Sequence, residues 1–221
     1  MRTKFFAELS RRLREEQIES NVVGEDRLEV SLGGQPVLSV SPNSEVFLLP
    51  AGSGSEEAND LYHRVAATAD EVYEYVEAVA DAPILRAADL HEEFRLLADC
   101  GGTVLAGRER EQGQGYQFVT WVWDFDRLGI SHGHYYEGNY QNAKQDFAVR
   151  AGLISRAQLF TPEQLTELCR ATDYYLDTGP EPEEPQLKAI QEARKKIEYV
   201  VPDLQTRLEQ AQTQEQGLQM N

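Results

Sequence analysis

Two of the four histidines in this 221-residue chain flank a single glycine, in Ile130-Ser131-His132-Gly133-His134-Tyr135-Tyr136. Alternate side chains of a strand share a face, so His132 and His134 would stand side by side there. Paired imidazoles suit metal binding and general acid–base work. Asp124 and Asp126 upstream, and Glu137 downstream, are the carboxylates within reach. His132 with Asp126, or with Glu137, is the acid–base pair to consider. Among longer motifs, the chain has no P-loop, no GxGxxG after a strand, no HExxH and no nucleophile elbow.

The element that must position the histidines is the most aromatic run in the chain, Tyr116-Gln117-Phe118-Val119-Thr120-Trp121-Val122-Trp123-Asp124-Phe125. Its odd and even positions are both largely apolar, which predicts a strand covered on both faces. Asp126-Arg127-Leu128-Gly129 reads as a hairpin turn, with Gly129 closing it. A four-residue loop would set Phe125 opposite Ile130, Trp123 opposite His132 and Trp121 opposite His134. Both imidazoles would then face indoles, with Asp124 on the other side. A slip of one residue would reverse this. In that register the histidines pack rather than ligate, and no metal site or cofactor is assigned. The same register gathers Trp121, Trp123, His132, His134, Tyr136 and Tyr140 into a candidate pocket for a planar or sugar-like ligand. An aromatic core is the competing expectation.

The composition narrows the function classes. The formal net charge is −17, with 38 Asp and Glu against 21 Lys and Arg. Such a surface repels phosphates, so direct nucleic-acid binding is not expected. No apolar run is long enough to span a bilayer, and the opening Met1-Arg2-Thr3-Lys4-Phe5-Phe6 lacks a signal-peptide core. The expectation is a cytoplasmic protein. Cys100 and Cys169 lie far apart, in no metal-like spacing, and read as small buried hydrophobes.

Helical periodicity predicts an amphipathic helix over residues 3–19, broken at 21–24. Three strands follow at 28–32, 37–40 and 45–49, with Gly33-Gly34 as a turn and Pro36 expected to shorten the second. Residues 56–80 predict the clearest long helix. Pro83 ends it, and a shorter helix is expected over 85–97. A turn at Asp99-Cys100-Gly101-Gly102 then leads to a strand at 103–107, a polar loop at 108–115 and the aromatic hairpin. Asn139 predicts a helix cap, Gly152 and Leu153 a helix end, and Thr161-Pro162-Glu163-Gln164 a capping box. A Pro/Glu-rich linker at 178–185 precedes a C-terminal helix that Pro202 stops or kinks.

The fold class expected is α+β, with antiparallel or mixed sheets packed by amphipathic helices and a helical C-terminal third. Two similar α-β-β-β-α lobes and one continuous sheet both remain open. The expected organisation is an N-terminal unit at 1–82, a central hairpin sheet with its following helices at 83–178, and a linker with a C-terminal helix at 179–221.

The long helix carries Asp70, Glu74, Glu77 and Asp81 on one stripe. Carboxylates one turn apart are about 6 Å apart along the axis, near the spacing of phosphates along an extended strand. Between residues 56 and 99, acids exceed Lys and Arg by about nine. The stripe is a candidate face for a basic partner, with the wet side of a helix as the plainer alternative.

The segment Tyr135-Tyr136-Glu137-Gly138-Asn139-Tyr140 through Ala151-Gly152-Leu153-Ile154 resembles a family of accessory proteins from anaerobic gut bacteria. So do Leu159-Phe160-Thr161-Pro162-Glu163-Gln164-Leu165 and Ile197-Glu198-Tyr199-Val200-Val201-Pro202-Asp203-Leu204. The family is often linked to conjugative or other mobile elements. No activity is established for it, so no residue role carries over. The resemblance implies a mobile-element context. The expected function is a non-enzymatic accessory or interaction protein that binds a basic DNA-binding or defence protein, in the extreme as a DNA mimic. The alternative is a small-molecule-binding or hydrolytic protein using the Trp/His/Tyr cluster.

Overall fold

The computed structural model describes residues 2–201 and 203–219, the side chains of residues 112 and 212–219 excepted. The chain is α+β and divides into two compact units, Met1–Ile154 and Ser155–Asn221.

The first unit opens with helix α1 (Arg2–Glu15), which buries Phe5, Phe6, Leu9 and Leu13. An antiparallel meander follows: β1 (Glu19–Val23), β2 (Arg27–Leu32), β3 (Gln35–Val40) and β4 (Val46–Leu48), in that spatial order. The stretch expected to break the first helix is itself strand β1. Its apolar residues are few, and its pairing with β2 supplies what periodicity does not. Pro36 lies inside β3, opposite Ser31, where the β2–β3 register shifts. A bulge tolerates the missing N–H there, so the strand is not shortened.

Helix α2 (Glu56–Asp81) starts at Ser55, whose side chain accepts from the Ala58 N–H at 3.2 Å. It buries Leu61, Val65, Ala69, Val72, Tyr75, Val76 and Val79 along one stripe. A second four-stranded antiparallel sheet then forms from β5 (Arg95–Cys100), β6 (Thr103–Glu109), β7 (Tyr116–Trp123) and β8 (Ile130–Tyr136). No helix forms over 85–97. Residues Leu85–Phe94 run as an irregular cover, and Arg95 begins β5. Leu85, Leu90 and Phe94 of this segment pack against the sheet instead. Each lobe is therefore built on four strands rather than three.

Helix α3 (Tyr140–Arg150) closes the unit. Its Asn139 cap accepts from the Asn142 N–H at 3.0 Å. Gly152 (φ +75°) and the bonds Gly152 N–H to Val149 O and Leu153 N–H to Ala148 O complete a Schellman end. One core joins Leu9 and Leu13 of α1, Val30 and Leu38 of the first sheet, Tyr75 of α2, Phe118 of β7 and Phe147 of α3. The expected segments 1–82 and 83–178 thus contribute to the same core. The opposite face of the second sheet holds Val104, Ala106, Val119 and Trp121 under Leu85 and Phe94. β7 is covered on both faces.

The second unit contains α4 (Pro162–Thr178), α5 (Glu184–Val200) and α6 (Leu204–Gln219). The capping box at Thr161 forms as its spacing requires: Gln164 N–H to Thr161 Oγ1 at 3.3 Å and Thr161 N–H to Gln164 Oε1 at 2.9 Å. Its core centres on Cys169, Val201, Leu204 and Leu208. Pro202 lies outside the described residues. Cys100 and Cys169 are free thiols; Cys169 is buried and Cys100 half-buried. Among the described residues, no helix is long and apolar enough to cross a membrane.

Candidate functional site

The hairpin that carries the histidines pairs differently from its expected register. Trp123 lies opposite Ile130 and Val122 opposite Ser131, so the loop is longer than four residues. The register then shifts, and Thr120 lies opposite His134. Between these pairs β8 has one residue more than β7, a bulge at His132 and Gly133 opposite Trp121. His132 takes a left-handed backbone (φ +53°) to make it. Gly133 is required by close approach: a Cβ there would stand 2.6 Å from Trp121 Nε1.

The bulge separates the two imidazoles. His132 is exposed, with Nδ1 3.1 Å from Ser131 Oγ. His134 is brought beside Thr120 and has Nδ1 3.1 Å from Asp146 Oδ2 on α3. Neither indole receives a histidine as expected. Trp121 is 5% exposed and meets Phe94 edge-on at 5.0 Å. Trp123 donates its Nε1–H to Asp99 at 3.0 Å and lies under the Arg127 guanidinium. Tyr140 is buried against Phe118 and Tyr75, and Tyr136 packs against that same core. Burial, with Glu74 nearby, pushes the Tyr140 phenol up to about 12. The six residues proposed as one pocket are thus split between two cores and solvent.

The acid–base partners also differ from those expected. Glu137 is ion-paired with Arg110, Asp126 accepts the Leu128 N–H at 3.1 Å, and Asp124 accepts the Ser131 hydroxyl at 3.1 Å. The carboxylate that orients a histidine is Asp146. Its side chain is 10% exposed and accepts the hydroxyl of fully buried Thr120. Arg150, one turn further along α3, donates to Thr120 O at 3.0 Å, Thr120 Oγ1 at 2.7 Å and His132 O at 2.7 Å. Burial works against the Asp146 charge, but the Thr120 bond and the positive neighbours outweigh it and hold the carboxyl below its usual range. The side chain of His134 is 53% exposed. An imidazole held at Nδ1 by a carboxylate presents Nε2 as a base. The spacing of Asp146 and Arg150 on one helical face was the available signal. Nothing in the linear order ties that face to His134. Among the described residues, no group of three or more His, Cys, Asp or Glu is disposed to hold a metal ion.

The acidic stripe of α2 is real but unevenly free. Asp70 and Asp81 are exposed, and Asp70 accepts the Ser44 hydroxyl at 2.7 Å. Glu74 is bound twice by Lys144, at 2.7 and 2.8 Å. Glu77 accepts from the Tyr73 hydroxyl, which raises that phenol's pKa. A further carboxylate, Glu8, is buried in the core. Arg11 grips it at 2.8 and 2.7 Å and the Tyr75 hydroxyl donates to it at 2.7 Å. Burial, and then the Glu8 charge, push the Tyr75 phenol well up. Comparison with protein-family models, curated proteins and solved structures finds no match to this chain.

Proposed function

We propose that this chain is a non-enzymatic accessory protein that binds a basic protein through a carboxylate-rich exterior. The observation that carries the proposal is the fate of the cations. Among the described arginines and lysines of the first unit, all but Arg2, Arg14 and Arg86 lie within ion-pair distance of a carboxylate. Acids outnumber cations in the chain, so the internal pairs leave carboxylates over. Asp81, Asp89, Asp124 and Asp126 are exposed without such a partner among the described residues. A field of unpaired charge of one sign steers partners of the other sign and rejects like-charged ones.

The resemblance to accessory proteins of mobile elements favours a cytoplasmic DNA-binding or defence protein as the partner class. Mimicry of DNA is the strongest form of this proposal. The test is affinity capture from bacterial cytosol at low salt, followed by titration of the purified captured protein. A basic partner, released by salt and bound more weakly by Asp70→Lys/Asp81→Lys, is the expected result. Capture of acidic proteins, or binding indifferent to salt, would end the proposal.

One observation favours a second reading, a hydrolytic protein: His134 is exposed and oriented by Asp146. Turnover of a panel of nitrophenyl esters, lost in His134→Gln with the fold intact, would support it. Equal turnover by the variant would dismiss it.

A further inference from the structure

The tip of the β7–β8 hairpin carries the most exposed large hydrophobic side chain among the described residues of the first unit. Phe125 is fully exposed, Leu128 is 67% exposed, and Ile84 lies 45% exposed on the neighbouring segment. Isolated apolar residues on a surface need no explanation, but two that share one groove, with Phe125 three residues away in the same turn, do. Leu128 and Ile84 line an open groove of about 480 Å³ together with Leu85, Ala87, Ala88 and Leu90.

The tip is fastened at several points. The Asp124 N–H bonds Gly129 O at 2.9 Å and the Arg127 N–H bonds Asp124 O at 2.9 Å. The Asp126 carboxylate holds the Leu128 N–H, and the Ala88 N–H bonds Leu128 O at 2.8 Å, tying the tip to the groove wall. Arg127 also lines the groove, where its charge is met by an ion pair with Asp99 and its guanidinium sits over Trp123. These bonds fix the backbone of the turn, so on binding the tip has chiefly the side-chain freedom of exposed Phe125 left to lose, which favours an interface anchor.

The charges around it select the partner. Asp89, Asp124 and Asp126 have no ion-pair partner among the described residues. Both Asp124 and Asp89 approach Gly129, so like charges are crowded at the base of the tip. Glu92 and Glu93 of the rim are taken by Arg108 and Arg95. Arg86 is the one groove arginine without an ion pair among the described residues.

We infer that this tip and groove form the docking surface for a basic amphipathic segment of a partner protein, its apolar face on Phe125 and Leu128 and its cations against Asp89, Asp124 and Asp126. The inference rests on the basic-partner proposal above and places its anchor on the hairpin rather than on α2.

The test uses the full chain and three synthetic helical peptides: Leu/Lys, Leu/Glu and Ser/Lys. Tryptophan emission reports binding, because Trp123 lies beneath Arg127 at the base of the tip. The expected result is tightest binding of the Leu/Lys peptide, weakened about thirtyfold by Phe125→Ser/Leu128→Ser. The Asp70→Lys/Asp81→Lys variant should weaken it by about threefold or less. Both variants alter exposed side chains, and unchanged thermal unfolding confirms their fold. If the α2 variant loses binding and the tip variant keeps it, the docking surface is wrong and the basic-partner proposal stands. If the Leu/Glu peptide binds as well as Leu/Lys, the basic-partner proposal fails and the docking inference with it. If no peptide binds, or Ser/Lys binds as tightly as Leu/Lys, the tip is not a docking surface.

Discussion

Asp146 binds Thr120, His134 and Arg150, and these contacts are not of equal weight. The informative perturbation is Asp146→Ala set against His134→Ala. His134 is more than half exposed, so its pair with Asp146 is screened by water and contributes about 0.5 kcal/mol or less. Arg150 differs, because its side chain is largely buried and Asp146, 3.6 Å away, is its nearest carboxylate among the described residues. Removing that carboxylate leaves a guanidinium with three neutral acceptors and no counter-charge, and it orphans the donor of the buried Thr120 hydroxyl. Breaking a buried pair costs roughly 3–5 kcal/mol. The retained acceptors and the longer separation bring the expected cost to about 2–3 kcal/mol. In a domain of this size, each kcal/mol moves Tm by about 2–4 °C, so Asp146→Ala should lower it by about 4–12 °C. His134→Ala should move it by no more than about 2 °C. Thermal unfolding followed by circular dichroism measures the Tm shifts, and urea unfolding the free energies, of both variants. Equal losses for the two variants, or a loss under about 1 kcal/mol for Asp146→Ala, would refute the clamp and return weight to His134.

Three further outcomes follow from the same contacts. Gly133→Leu should cost about 1–3 kcal/mol and shift tryptophan emission to the red, because its side chain displaces the Trp121 indole; an unshifted spectrum would deny the contact. Tyr75→Phe and Glu8→Ala should each destabilise, and their double variant should fall short of the sum by about 1–2 kcal/mol, since both remove one hydrogen bond. Acid titration of stability should separate wild type from Asp146→Asn: a lowered carboxyl stabilises fully above about pH 4 and loses that contribution as pH falls through its folded value, so the two curves should converge only at the acid end.

Much of the fold was legible because local chemistry decided it. Thr161 and Gln164 form their capping box, Asn139 and Gly152 bound α3, and the apolar stripe of α2 is the stripe that packs. The stretches that misled were those where tertiary pairing outweighs periodicity. Residues 85–97 were expected as a helix, but Leu85, Leu90 and Phe94 cover a sheet as irregular chain, and β1 gains its strand from β2. The candidate site failed at one point, the bulge at His132 and Gly133. A single extra residue reverses which face a histidine meets, and only the bulk of Trp121 against Gly133 shows where it falls. Asp146 was hidden for a different reason: the fold, and not the order of residues, brings α3 across Thr120 and His134.

The most direct measurement is the affinity of the purified captured partner across a salt series. Attraction by unpaired carboxylates predicts that Kd rises by about tenfold or more between roughly 0.1 and 0.5 M salt, mainly through a slower association rate. A Kd that stays flat over that range would contradict the account.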